Sequence, residues 1–181
     1  MLVVIIVLAV LGVAGIVIYN GMVAKRNEVE NAFAGIDAQL KKRFDLIPNL
    51  VNTVKGYAQH EAAVFENIVK LRQGAKYDDL SADEKVELDS KIGQAVKQFQ
   101  INVEQYPDLK ASENFNQLQR ALNETEEQIS AARRAYNAAV TEYNTSIQSF
   151  PANLFAGALG FSKRSVYEAT DAERQNVDVK F

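Results

Sequence analysis

The chain has one histidine, His60, and Glu61 follows it. A zinc-peptidase helix carries His-Glu-x-x-His, which sets two imidazoles on one face. The residue four after His60 is Val64, so the second ligand is missing. A di-iron bundle pairs Glu-x-x-His motifs, and Tyr57 stands where that glutamate would be. Glu124, Glu126 and Glu127 form an acidic cluster, with Glu113 upstream. Favourable charge in the first half of a helix, together with solvation, explains them. Calcium coordination would need a ligand loop that is absent here. Lys41-Lys42-Arg43 is a compact basic patch. It would suit anionic headgroups if its helix lay along a membrane, but it reads more simply as a solvated face. No serine sits in a Gly-x-Ser-x-Gly turn, and no glycine-rich phosphate loop occurs. Without cysteine the chain has no disulfide, no thiolate metal site and no lipidated thiol. No catalytic, cofactor-binding or metal-ligating residue is assigned, and the expectation is a non-enzymatic protein without a cofactor.

The elements that would have to position any site are helical. At 181 residues the chain suffices for one domain with a core. Charged residues at 24%, three prolines and no tryptophan fit a helix-rich fold. The net charge of −3 offers no basic stripe for nucleic acid.

Nearly every residue from Leu2 to Ile18 is apolar, a run without a charge that Tyr19 to Ala24 extends weakly. A bilayer core takes roughly 20 apolar residues at the helical rise, and this run meets that length with little to spare. Tyr19 stands where an amphipathic ring favours the headgroup level. A cleavable signal peptide would need a basic start, a shorter apolar core and a small-residue cleavage site after it. Nothing basic precedes this run, and Gly12, Ala14 and Gly15 lie inside it. The segment therefore reads as an uncleaved single-pass anchor. Gly12 and Gly15 would allow close packing of neighbouring anchors, although glycine is simply common in membrane helices. Lys25, Arg26, Lys41, Lys42 and Arg43 follow the span and none precedes it, so the positive-inside rule puts the folded part in the cytoplasm.

Beyond the anchor the apolar spacing is three and four. Val29, Phe33, Ile36, Leu40, Phe44 and Ile47 share one helix face. Pro48 should kink that helix or break it, before Leu50, Val54, Tyr57, Val64, Ile68 and Leu71 resume the pattern and Gly74 ends it. Ser81-Ala82-Asp83-Glu84 reads as a capping box that opens another helix with Leu88, Ile92, Val96, Phe99, Val103 and Tyr106 in register, stopped at Pro107. The longest stripe is Phe115, Leu118, Leu122, Thr125, Ile129, Ala132, Tyr136, Ala139, Tyr143, Ile147 and Phe150, ended by Pro151. This is the near-heptad pattern of helices packed at a shallow angle.

Short segments along the whole chain resemble the LemA family of bacterial membrane-anchored proteins. They include Arg43-Phe44-Asp45-Leu46-Ile47-Pro48-Asn49-Leu50-Val51, Val54-Lys55-Gly56-Tyr57-Ala58 with His60-Glu61, and Tyr106-Pro107-Asp108-Leu109-Lys110-Ala111. Ala132-Arg133, Tyr136-Asn137, Tyr143-Asn144, Phe150-Pro151 and Gly160-Phe161 continue the series. Ala32-Phe33-Ala34 departs from it, where the family more usually has a tryptophan. The resemblance implies a membrane segment followed by an antiparallel helical bundle, with no established enzymatic activity and no catalytic residues to carry over. Family members with lipoprotein-type N-termini lie outside the cytoplasm, and members commonly accompany membrane proteases or envelope proteins.

The expectation is thus an all-α protein: an anchor over 1–24, an elongated bundle of about four long helices over 25–151, and a partly ordered tail over 152–181. Its expected partners are the lipid bilayer, further copies of itself and a membrane protein, with no nucleic acid and no evident small-molecule substrate. The expected role is a self-associating scaffold, or an adaptor that presents the bundle to a membrane protease or envelope-signalling partner.

Overall fold

The computed structural model describes residues 1–55, 69–70, 74, 76–102 and 106–167, and among these it is helical with no strand. Four α-helices are described: α1, Leu2–Lys55; α2, Ala82–Asn102; α3, Pro107–Ala111; and α4, Glu113–Gln148. Short 3₁₀ turns lie at Tyr77–Asp79 and Ala152–Leu154. Packing divides the described chain into two compact units, residues 1–35 with 132–167, and residues 36–131. The segment containing His60 and Glu61 lies outside the described residues, as do Tyr57, Val64, Leu71 and Val103.

Pro48 is inside α1 and does not end it. A proline within a helix costs roughly 3 kcal/mol through its lost hydrogen bond and its clash with the preceding turn. Ile47, Leu50, Val51 and Val54 are all buried around it, and that apolar burial offsets the cost. In the same unit the capping box forms as read. Ser81 donates its backbone amide to Glu84 Oε2 at 2.8 Å, and its hydroxyl faces the Glu84 amide at 3.4 Å. Leu88, Ile92, Val96 and Phe99 then enter the core, where Phe99 meets Phe115 edge to face at 5.9 Å. Asp37 faces Lys85 and Arg43 faces Asp89, so α2 runs parallel to the stretch of α1 it packs on.

The first unit is built from the start of α1 and the end of α4. Lys25 with Glu142 and Phe33 with Tyr136 fix these as antiparallel. Met22, Val29, Val140, Tyr143, Ile147, Ala152, Ala156 and Phe161 form its core. Val140 is fully buried here, whereas Ala139, the position on the heptad stripe, is only partly covered. A strict seven-residue repeat drifts about 20° per heptad against a straight α-helix, so one position hands over to the next along a helix this long. Phe150 is a larger departure. It is 81% exposed because α4 ends at Gln148 and the chain turns away before the stripe reaches it.

Candidate functional site

Leu2 to Val17 of α1 leave nearly every side chain open, and this helix is long and apolar enough to cross a membrane. Twenty residues rise roughly 30 Å, the thickness of a bilayer core. From Met22 the same helix buries side chains within the first unit, so the exposed stretch joins the packed one with no linker. Lys25 sits just past this stretch and pairs with Glu142 at 2.6 Å and Glu28 at 2.8 Å. Those two hydrogen bonds, Glu142 first, hold its pKa above the ordinary lysine value. The Arg26 guanidinium lies over the Phe161 ring, 5.3 Å from its centroid.

The segment 161–167 docks on α4 through a feature that a periodicity reading overlooks. Asn144 receives the Arg164 amide at 3.0 Å and donates to the Arg164 carbonyl at 2.9 Å. Asn137 does the same for Tyr167, at 2.7 and 2.9 Å. Seven helical residues rise about 10.5 Å and three extended residues span about 10 Å, so two asparagines one heptad apart match two peptide groups of an extended chain. Tyr143 adds a hydroxyl donor to the Ser162 carbonyl at 2.9 Å, and Arg133 stacks on Tyr167 at 4.4 Å. The available sequence signal was the repeat of Tyr-Asn at 136–137 and 143–144.

In the second unit the basic patch and the acidic cluster meet each other. Lys42 faces Glu124 at 3.9 Å, and Lys41 pairs with Asp45 along α1. Arg43, expected on a solvated face, is buried at 7% exposure. Its Nη1 binds buried Asp89 at 3.1 Å and its Nη2 binds Glu126 at 2.7 Å. Gly93 makes this placement fit, since a Cβ there would lie 3.0 Å from Nη2. Beside it the Tyr77 hydroxyl donates to Asp37 Oδ1 at 2.8 Å, and Lys85 closes on the same carboxylate. Burial first, and the Asp37 hydrogen bond second, push the phenol pKa well above its usual value. These carboxylates are matched to cations or hydroxyls in the fold. Among the described residues, no group of three His, Cys, Asp or Glu side chains is placed to share a metal ion. The second unit is locked by Arg43, which is buried between Asp89 and Glu126.

The profile of the LemA family matches residues 32–181. The chain belongs to the LemA family. Protein LemA of Metamycoplasma hominis is 30% identical over 159 residues, covering 88% of this chain and 73% of that protein. Magnetosome protein MamQ 2 of Paramagnetospirillum magneticum is 23% identical over 179 residues, covering 85% of this chain and 66% of its own. Magnetosome protein MamQ of Magnetospirillum gryphiswaldense is 21% identical over 170 residues, covering 80% and 62%. The chain thus spans about two thirds of the magnetosome relatives' length. The structure gives several LemA-like segments a physical role. Arg43 opens the Arg43–Val51 segment as the buried hub, Asn137, Tyr143 and Asn144 hold the extended arm, and Gly160 adopts φ +78° in the turn that delivers Phe161.

Proposed function

We propose that this LemA-family protein is a non-enzymatic membrane scaffold, held at the bilayer by α1 on the cytoplasmic side and self-associating through its helices. The carrying observation is the open apolar start of α1 joined to packed helix without a linker, which restricts the orientations of the first unit against the membrane. Crosslinking of the full chain in native membranes tests self-association, with discrete multimers expected. A single monomeric band, matched by a monomer mass in mild detergent, would overturn it.

The alternative reading is an adaptor for a membrane partner. It is favoured by the arm at 161–167, which beyond buried Phe161 is held by hydrogen bonds and a cation–π stack to α4 and by an Arg164–Glu30 ion pair to α1. Co-purification of the full chain with and without the Asn137 and Asn144 amides tests it. A changed set of bound proteins supports the adaptor, and an unchanged set removes it.

A further inference from the structure

The turn that follows α4 stands at the level of α1 where the apolar run ends. Phe161 meets Tyr19 edge to face at 5.8 Å, and Ile18 packs against the cluster that holds Ala152, Ala156 and Phe161. Within this turn Phe150 is 81% exposed, Leu154 71% and Leu159 47%. Past Tyr19, they and Val166 are the large apolar side chains left open among the described residues. Three such side chains at one end of a unit make a patch that water disfavours and an apolar phase would accept. No charged residue occurs from Ser149 to Ser162; Lys163 then follows, while the next cation, Arg164, pairs with Glu30 of α1. That order, apolar tip and then basic flank, is the one that suits a phospholipid interface.

The backbone supports the same occupant. Amides entering lipid need internal partners, since no water is there to satisfy them. In this turn the amides of Asn153, Leu154, Phe155, Ala156, Leu159, Gly160 and Phe161 donate to nearby carbonyls, and those of Phe150, Ala152, Gly157 and Ala158 are left for the water of the interface. Pro151 has no amide to satisfy. The length of α1 points the same way. A span of about 20 residues starting at Leu2 ends near Gly21, so the bilayer surface falls where Met22 is already buried under this turn.

We propose that residues 149–161 form a second membrane contact, seating Phe150, Leu154 and Leu159 in the phospholipid interface beside the exit of α1. The proposal rests on reading α1 as a membrane span, and the test separates the two.

The chain has no tryptophan, so a single introduced indole reports one position. The full-length variants Phe150→Trp, Leu154→Trp and Leu159→Trp are reconstituted into phosphatidylcholine–phosphatidylglycerol vesicles, some brominated at shallow acyl carbons. Val10→Trp reports the anchor and Gln128→Trp reports water. The expected result is strong quenching of all three turn indoles by shallow bromolipid, with acrylamide quenching at least about twofold weaker than at Gln128→Trp, as for interfacial burial. Quenching at Val10→Trp with acrylamide-open indoles in the turn overturns the proposal and leaves the anchor standing. No bromolipid quenching at Val10→Trp overturns the anchor and the proposal with it. Turn indoles shielded from both quenchers assign the patch to a second copy or another protein, which also overturns it.

Discussion

Replacing Arg43 by methionine keeps a long side chain in place and removes the charge that two carboxylates share. Asp89 is 4% exposed, so its carboxylate then loses a cation in a site where water does not replace it. Removing one partner of a buried ion pair costs about 3–5 kcal/mol. The half-exposed Glu126 recovers its hydration, which sets the expected loss near the lower end, about 3 kcal/mol. For a chain of this size each kcal/mol lowers Tm by roughly 2–4 °C, which gives a fall of roughly 6–12 °C. The assay is thermal unfolding of the full chain in micelles by circular dichroism, with hydrogen exchange read at Leu88–Val96 to place the loss in α2. The double variant Arg43→Met with Asp89→Asn removes the stranded charge and should regain at least about half of the lost stability. A loss below about 0.5 kcal/mol in the single variant would refute the buried pair as a lock. A double variant no more stable than the single would show that packing, not charge, carries the effect.

Gly93→Ala sets a helix-propensity gain of about 1 kcal/mol against a Cβ 3.0 Å from Arg43 Nη2, which two carboxylates hold in place; Tm should fall in the parent and rise in an Arg43→Met background. Tyr77 has a raised folded pKa, so its contribution is full below the unfolded value of about 10 and is lost as pH rises above it toward the folded value. Tyr77→Phe should therefore lose about 2 kcal/mol at neutral pH with the Asp37 bond, and show a shallower alkaline decline in denaturant titrations. Glu84 has a lowered folded pKa through its two Ser81 hydrogen bonds, so its contribution is present above the unfolded carboxylate value and is lost as pH falls through the folded one. Ser81→Ala should lower Tm at neutral pH, with the gap from the parent closing as acid protonates Glu84. Asn137→Ala with Asn144→Ala removes four hydrogen bonds to the arm, so trypsin should cut after Lys163 and Arg164 at least about tenfold faster.

The helices were legible because their signals are local. Apolar residues at spacings of three and four mark a face whatever it packs on, and Val29, Ile36, Leu40, Phe44 and Ile47 mostly went where that face predicts. The Ser81–Glu84 box was legible for the same reason, since donor and acceptor sit within one turn. Arg43 was not, because its burial depends on Asp89, Glu126 and the space over Gly93, all distant in sequence. Pro48 reads locally as a kink or a break, and the continuation of the helix through it rests on the tertiary burial of its neighbours. The asparagine clamp was invisible to periodicity because its partners are backbone groups of an extended segment. Phe150 read as core because the stripe continues to it, although the helix does not.

The anchor is tested most directly by cysteine accessibility, since the chain has none of its own. Single cysteines at Val4, Leu8, Val13, Val17, Asn27 and Asn31 are probed in intact cells and in opened ones with a membrane-impermeant maleimide. No labelling is expected at Leu8, Val13 and Val17 in either case, and labelling at Asn27 and Asn31 only once the cells are opened. Labelling at Leu8 or Val13 equal to that at Asn27 would contradict a membrane-spanning α1, and labelling of Asn27 in intact cells would contradict the proposed cytoplasmic side.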